Sequence, residues 1–263
     1  MYVLKTRREI EMMRRAGQLA HDILQRMRAA AVAGVTTGEL DEMARAELDR
    51  AGAVSGSKNY PNYKPNEGYP GYTCISVDSE IVHGIPGKRV LKEGDIVSLD
   101  MALSLNGYFA DTAVTVPIGT VNPVKQKLLD VTREALVLAI ENIRPGRKWS
   151  EIARLVQRHV EGNKFNVVRE FVGHGVGRTM HEDPKVPNFV TAESWRTDFV
   201  LRPGMTLAVE PMVVAGKRHV KDPEDNWTMV TADGKPAAHF EHTVAVTDTG
   251  ADILTDGRAP WNL

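Results

Sequence analysis

Asp100 and Asp111 stand on either side of Asn106-Gly107, the dipeptide that most strongly marks a two-residue turn between antiparallel strands. The flanking runs, within Ile96 to Val116, carry Val97, Leu99, Met101, Phe109 and Val114, the apolar content expected of interior strands. With Leu105 facing Tyr108, Asp111 falls opposite Ala102, two residues from Asp100 on the same face. The two acids become diagonal neighbours with Cβ atoms roughly 5–8 Å apart. Like charges held that close repel unless a cation sits between them.

The chain repeats this arrangement. Leu91-Lys-Glu-Gly-Asp-Ile-Val-Ser-Leu-Asp100 aligns with Leu201-Arg-Pro-Gly-Met-Thr-Leu-Ala-Val-Glu210 at an offset of 110 residues, and both segments end in a carboxylate. Phe109-Ala-Asp-Thr112 is echoed by Phe240-Glu-His-Thr243, and Gly34-Val-Thr-Thr-Gly-Glu-Leu40 by Gly146-Arg-Lys-Trp-Ser-Glu-Ile152. If a pseudo-twofold axis relates the halves, Asp100, Asp111, Glu210 and Glu241 converge near it. Four carboxylates and an imidazole suit two divalent cations bridged by shared oxygens, the arrangement of metal-assisted hydrolysis. The carboxylate excess favours Mn²⁺, Fe²⁺ or Co²⁺ over a structural zinc site and does not choose among them.

Three histidines could supply the imidazole: His83 in Ile-Val-His-Gly-Ile-Pro, and His174 and His181 in Gly173-His-Gly-Val-Gly-Arg-Thr-Met-His181. A histidine among glycines is commonly a turn residue, which tempers the case for His83. Around His174, glycines at 173, 175 and 177 would let the backbone approach a ligand closely. His21, His159, His219 and His239 read as surface or helix-face residues, and Arg178 and Glu182 as partners in ion pairs.

Helices must carry these strands. Thr6 with Glu9 and Thr36 with Glu39 form capping boxes that open two amphipathic runs, the second ending at Gly52. Asn122-Pro123 opens a third run, broken at Pro145-Gly146, after which Ser150 is expected to cap a fourth. The expected fold class is α+β: one domain, 1–263, with halves at about 7–120 and 121–250, a curved antiparallel sheet and helix pairs on its outer face.

Composition removes other classes. Lys plus Arg number 33 against 34 Asp plus Glu, so no broad basic field is available for nucleic acid or an anionic membrane. No run approaches the roughly 18–20 apolar residues of a membrane span, and the charged start is unlike a signal peptide, so a cytoplasmic protein is expected. A single cysteine, Cys74, excludes an intrachain disulfide and thiolate zinc clusters. The ten methionines read as core filler.

Taken in order, Gly34 to Asp41, His83-Gly-Ile-Pro86, Asp95 to Asp100, Gly107 to Thr112, His174 to Pro184, Arg202 to Met205 with Val209-Glu-Pro-Met212, Asp225-Asn-Trp-Thr228 and Phe240-Glu-His-Thr243 resemble the type I methionine aminopeptidases, within the pita-bread (creatinase/aminopeptidase-like) metallopeptidases. The resemblance covers nearly the whole chain. It implies removal of the initiator methionine from nascent polypeptides with a small second residue, by attack of a metal-bridging hydroxide on the first peptide bond. It implies two divalent cations (Co²⁺, Mn²⁺, Fe²⁺ or Zn²⁺), with Asp100, Asp111, His174, Glu210 and Glu241 as ligands and Glu210 also as proton shuttle. His83 and His181 match residues that contact substrate and stabilise the reacting centre, and Tyr69, Cys74 and Trp227 match the methionine pocket.

Departures lie around that pocket. Met180 stands where relatives usually carry Phe, the loop Ser57 to Gly68 is longer than the short form, and an N-terminal zinc-finger extension is not expected. The resemblance also implies a monomer, with transient ribosome contact as a further expectation. Two rival readings are a proline-directed aminopeptidase or prolidase of the same fold, and a binding protein that keeps the fold without catalysis.

Overall fold

The computed structural model describes residues 2–61, 68–221 and 225–258; residues 62–67, half of the long loop singled out from the sequence, lie outside them. Helix α1 (Arg7–Ala30) opens on a complete capping box. The Thr6 hydroxyl accepts from the Glu9 amide at 3.3 Å, and the Glu9 carboxylate accepts from the Thr6 amide at 2.9 Å. Thr36 and Glu39 repeat it at α2 (Thr37–Ala51), which stops where Gly52 turns left-handed at φ 64°. Strands β1 (Val54–Ser55), β2 (Cys74–Val77), β3 (Glu80–Val82), β4 (Ile96–Leu105) and β5 (Tyr108–Pro117) follow.

Helix α3 (Pro123–Glu141) starts as expected, with Asn122 accepting from the Lys125 amide and Pro123 in the first turn. It ends at Glu141, short of Pro145-Gly146, where the Asn142 side chain donates to the Leu138 carbonyl. Ser150 does not cap α4 (Trp149–Gly162). It lies within the first turn, and Asp198 serves that end instead, accepting from the Ser150 amide at 2.9 Å and hydroxyl at 2.7 Å. A carboxylate 48 residues away leaves no local signal.

The remaining strands are β6 (Asn166–Val167), β7 (Gly173–Gly175), β8 (Glu182–Val186), β9 (Thr206–Val209), β10 (Met212–Val214), β11 (Val220–Lys221), β12 (Met229–Thr231), β13 (Ala237–His239), β14 (Glu241–Val246) and β15 (Ala251–Ile253). Among the described residues the main sheet has nine strands, in the order β1-β4-β5-β14-β9-β7-β8, with β2 beside β4 and β15 beside β14. Every pairing in it is antiparallel, and the sheet curls. Each helix pair seals its own core against the sheet: Met27 and Leu40 meet Leu99 and Leu103, while Leu128 and Trp149 meet Leu207 and Val244. Full burial of such a side chain stabilises by about 1.5–3 kcal/mol.

The duplication extends to single hydrogen bonds. Gly34, at φ 96°, donates to the Leu91 carbonyl at 2.9 Å; Gly146, at φ 84°, donates to Leu201 at 2.9 Å. Isolated bridges pair Thr36 with Val90 and Lys148 with Val200. A left-handed residue at each position turns the chain between the two helices of a pair, which is why glycine stands at both.

Candidate active site

The β4–β5 hairpin has the register expected from Asn106-Gly107. Both turn residues have positive φ, 52° and 79°, Leu105 pairs with Tyr108, and Asp111 lies opposite Ala102. β14 then joins β5 with Glu241 beside Ala113, and Thr243 locks the junction by exchanging hydrogen bonds with the amide and carbonyl of Asp111. β9 joins β14, and β7 joins β9 with His174 facing Ala208. Glu210 lies just past the end of β9, before β10.

All ten residues singled out from the sequence line one cavity of about 260 Å³. On its floor, His174 Nε2 is 3.9 Å from Asp111 Oδ2 and 3.6 Å from Glu210 Oε1. The His174 Nδ1–H donates to the Gly175 carbonyl at 2.9 Å, so the Nε2 lone pair is the one turned to the acids. Gly173 and Gly175 serve packing here, not ligand approach. A Cβ at Gly173 would meet the Ala208 carbonyl at 2.3 Å, and one at Gly175 the Asp183 carbonyl at 2.4 Å.

His239 corrects the sequence reading. It is no surface residue: it is 2% exposed, with Nε2 3.4 Å from Glu210 Oε2 and 3.8 Å from Glu241 Oε2. The signal was the period-two spacing from His239 to Glu241, which puts both on one face while Phe240 enters the core. His219, by contrast, is exposed, and His159 pairs with Glu134 at the surface of α4, as their sequence contexts suggest.

The electrostatics call for cations. Burial, and then the charges of Asp111 and Glu210, push the Asp100 carboxyl well above the ordinary range. Burial and the surrounding carboxylates do the same to Glu241, and burial raises Asp111 against the opposing pull of His174. Glu210 is the exception: burial pushes it up, but His239, His174 and His181 together hold it below its usual value. Asp111 Oδ1, Glu241 Oε1 and His239 Nε2 are buried with no hydrogen-bond partner. Buried acids left in this state are costly, and divalent cations on an oxygen and imidazole donor set relieve the cost. Two trios of donors, Asp111–His174–Glu241 and Glu210–His239–Glu241, have their atoms within 4.8 Å of one another and fit such ions.

The cavity wall opposite is mostly apolar. Tyr69 meets Trp227 edge to face with centroids 5.1 Å apart, and its hydroxyl donates to the Gly84 carbonyl at 2.6 Å, so the ring is anchored. Cys74, its thiol pushed well up by burial and by Asp100, completes this side with Met180. The sequence reading missed Tyr60, Phe171 and Met212, which also line the cavity. His83, held left-handed at φ 59°, presents its ring edge to Phe171 at 5.4 Å; burial lowers its pKa to about 4, so it is neutral at pH 7. His181 stands at the rim, 4.2 Å from the His174 ring, with Nδ1 2.8 Å from the Tyr60 hydroxyl. Its flanking Glu182 accepts from the amides of Arg178 and Thr179 and pairs with the buried Lys5, which pins the rim to the segment preceding α1.

A curled antiparallel sheet backed by two helix pairs, with acids and imidazoles gathered over it, defines a metallohydrolase of the pita-bread class. The model of metallopeptidase family M24 matches residues 11–248, and the chain belongs to that family. It is 46% identical to methionine aminopeptidase 1 of Bacillus subtilis (strain 168), over 97% of this chain and 99% of that protein. The crystal structure of the Thermotoga maritima methionine aminopeptidase superposes with a TM-score of 0.91 at 43% identity, covering 97% and 99% of the two chains. A Pyrococcus horikoshii prolidase reaches a TM-score of 0.75 at 20% identity and covers 98% of this chain but 65% of its own, a likeness of fold alone.

Proposed function

We propose that the chain is a metal-dependent aminopeptidase that releases N-terminal methionine from polypeptides whose second residue is small. One observation carries this reading: the acid and imidazole cluster and the apolar, sulfur- and aromatic-lined chamber are two walls of a single cavity of about 260 Å³, room for one unbranched side chain beside the reacting bond. The full-length likeness to methionine aminopeptidases supports it.

Asp100, Asp111, His174, Glu210 and Glu241 hold the cations. Two divalent ions, Co²⁺, Mn²⁺, Fe²⁺ or Zn²⁺, supply Lewis acidity and a water acidic enough to act near neutral pH. The methionine side chain lies against Tyr69, Cys74 and Trp227. His83 and His181 donate to the carbonyl oxygen as charge builds on it, and Glu210, held ionised by its imidazole neighbours, receives a proton and returns it to the leaving amine. A monomer meeting nascent chains in the cytoplasm, with transient ribosome contact and no direct nucleic-acid or membrane binding, belongs to the same reading. Among the described residues no helix is long and apolar enough to cross a membrane.

The test is release of free methionine from Met-Ala-Ser, with Ala-Pro-Ala as comparison, in EDTA and after addition of Mn²⁺ or Co²⁺. Metal-restored cleavage of the methionine peptide alone is expected. Cleavage of the proline peptide alone would overturn the substrate assignment, and silence on both with every metal would overturn catalysis. His83→Ala should lower kcat by about 10²-fold, as loss of one oxyanion donor does, with metal content intact. Loss of metal in that variant would make His83 a ligand instead.

A further inference from the structure

We infer that His239 is an additional metal ligand, so that the cation pair receives two imidazoles, His174 and His239. The inference rests on the two-cation reading of the cavity.

Three observations carry it. The His239 ring is almost fully buried and its Nε2 has no hydrogen-bond partner, although a buried imidazole nitrogen ordinarily has one. That atom is aimed at two carboxylates, 3.4 Å from Glu210 Oε2 and 3.8 Å from Glu241 Oε2. Donors about 2.1 Å from a shared ion stand about 3.0–3.5 Å apart, so the trio needs little adjustment. Glu241 is common to this trio and to Asp111–His174–Glu241, so His239 adds to one continuous cluster of donors.

The strand is also rigid where it matters. Thr115 Oγ1 donates to the His239 carbonyl at 2.7 Å and accepts from its amide at 2.8 Å, and Ser98 meets the same hydroxyl at 2.8 Å. His239 further pairs with Met212 of β10, so its backbone is held from two sides. A nitrogen fixed this firmly and left unpartnered fits an ion better than a mobile substrate. The chemical consequence is a preference: a second imidazole moves the pair toward Zn²⁺ and Co²⁺ and away from Mn²⁺, which favours oxygen donors.

The experiment strips the full-length chain with a chelator, titrates it with Co²⁺ alone, and records the far-downfield exchangeable imidazole N–H protons in the ¹H NMR spectrum. Two such signals are expected, one lost in His174→Gln and the other in His239→Gln. His239→Gln should also weaken Zn²⁺ binding by about tenfold or more while changing Mn²⁺ binding less. X-ray absorption of the Zn²⁺-loaded wild type gives the same answer without a variant: one imidazole per ion on average, rather than one shared between two. A lone signal that only His174→Gln removes overturns the role of His239 and leaves the two-cation site standing. A chain that binds no Co²⁺ at all overturns both.

Discussion

The two halves of the sheet deliver carboxylates to the same point by different means. In the first, Asp100 and Asp111 sit within β4 and β5, ten residues each and joined by a two-residue turn, so local register alone brings them together. In the second, His174 lies on a three-residue strand, Glu210 just past a four-residue one, and His239 and Glu241 at the meeting of β13 and β14. No hairpin joins these pieces; Thr243 and Thr115 tie them to distant partners through side-chain hydrogen bonds. One half is a preformed platform, and the other is assembled by tertiary contacts. Three imidazoles of the cluster and Glu210, the proposed proton carrier, come from the assembled half.

The strongest challenge to this contrast removes one ligand from each half. Asp111→Ala and His174→Ala should both abolish turnover while the protein stays folded, because both are proposed to hold the same ions. Near-normal activity in either, with metal analysis and circular dichroism on the same sample, would sink the shared-cation account. Next in size is Lys5→Met, which leaves the half-buried Glu182 without its cation and should cost about 1.5–3 kcal/mol in thermal unfolding. Because Glu182 anchors the turn that carries His181, kcat should fall with metal content unchanged. Glu182→Gln added to Lys5→Met should recover part of the loss, as coupled partners do.

Gly107→Ala probes the platform. Nothing lies within 4 Å of the added Cβ, so only the left-handed φ of 79° is penalised, by about 1 kcal/mol. A stability loss with wild-type metal affinity fits a register held along ten paired residues; a collapse of metal binding would mean that the turn itself holds the two acids. The smallest effect concerns the opposite face of β14, where His242 points away from the cavity and bonds Thr255 at 2.8 Å. Burial lowers its pKa from 6.5 to about 4, so the unfolded chain takes up a proton across that window and the folded one does not. Its contribution to stability is present above about pH 6.5 and is lost as pH falls toward 4, by at most about 3 kcal/mol. His242→Gln should flatten melting temperature against pH over that range; an unchanged slope would remove His242 as its source.

Much of this was legible before the fold was known. The capping boxes at Thr6 and Thr36, the left-handed stop at Gly52 and the turn at Asn106-Gly107 are rules of neighbouring residues, and all four hold. The strand alternation that aligned Asp100 with Asp111 is equally local. Ser150 was misread because a side chain from another part of the chain took over the end of its helix. His239 was misread because its strand has three residues and the period-two step to Glu241 crosses from β13 into β14, so the step shows only once Glu241 is taken as a site residue.

Residue order therefore determined the elements, the hairpin register, the internal duplication and all but one of the groups able to hold metal, because each depends on contacts a few residues apart or on a motif read in line. Tertiary structure alone decided which imidazoles reach the acids, that the glycines beside His174 make room for neighbouring strands, and that Lys5 braces the cavity rim from the far end of the chain. Those outcomes depend on short strands meeting across more than a hundred residues, where burial and hydrogen-bond satisfaction, not local preference, select the arrangement.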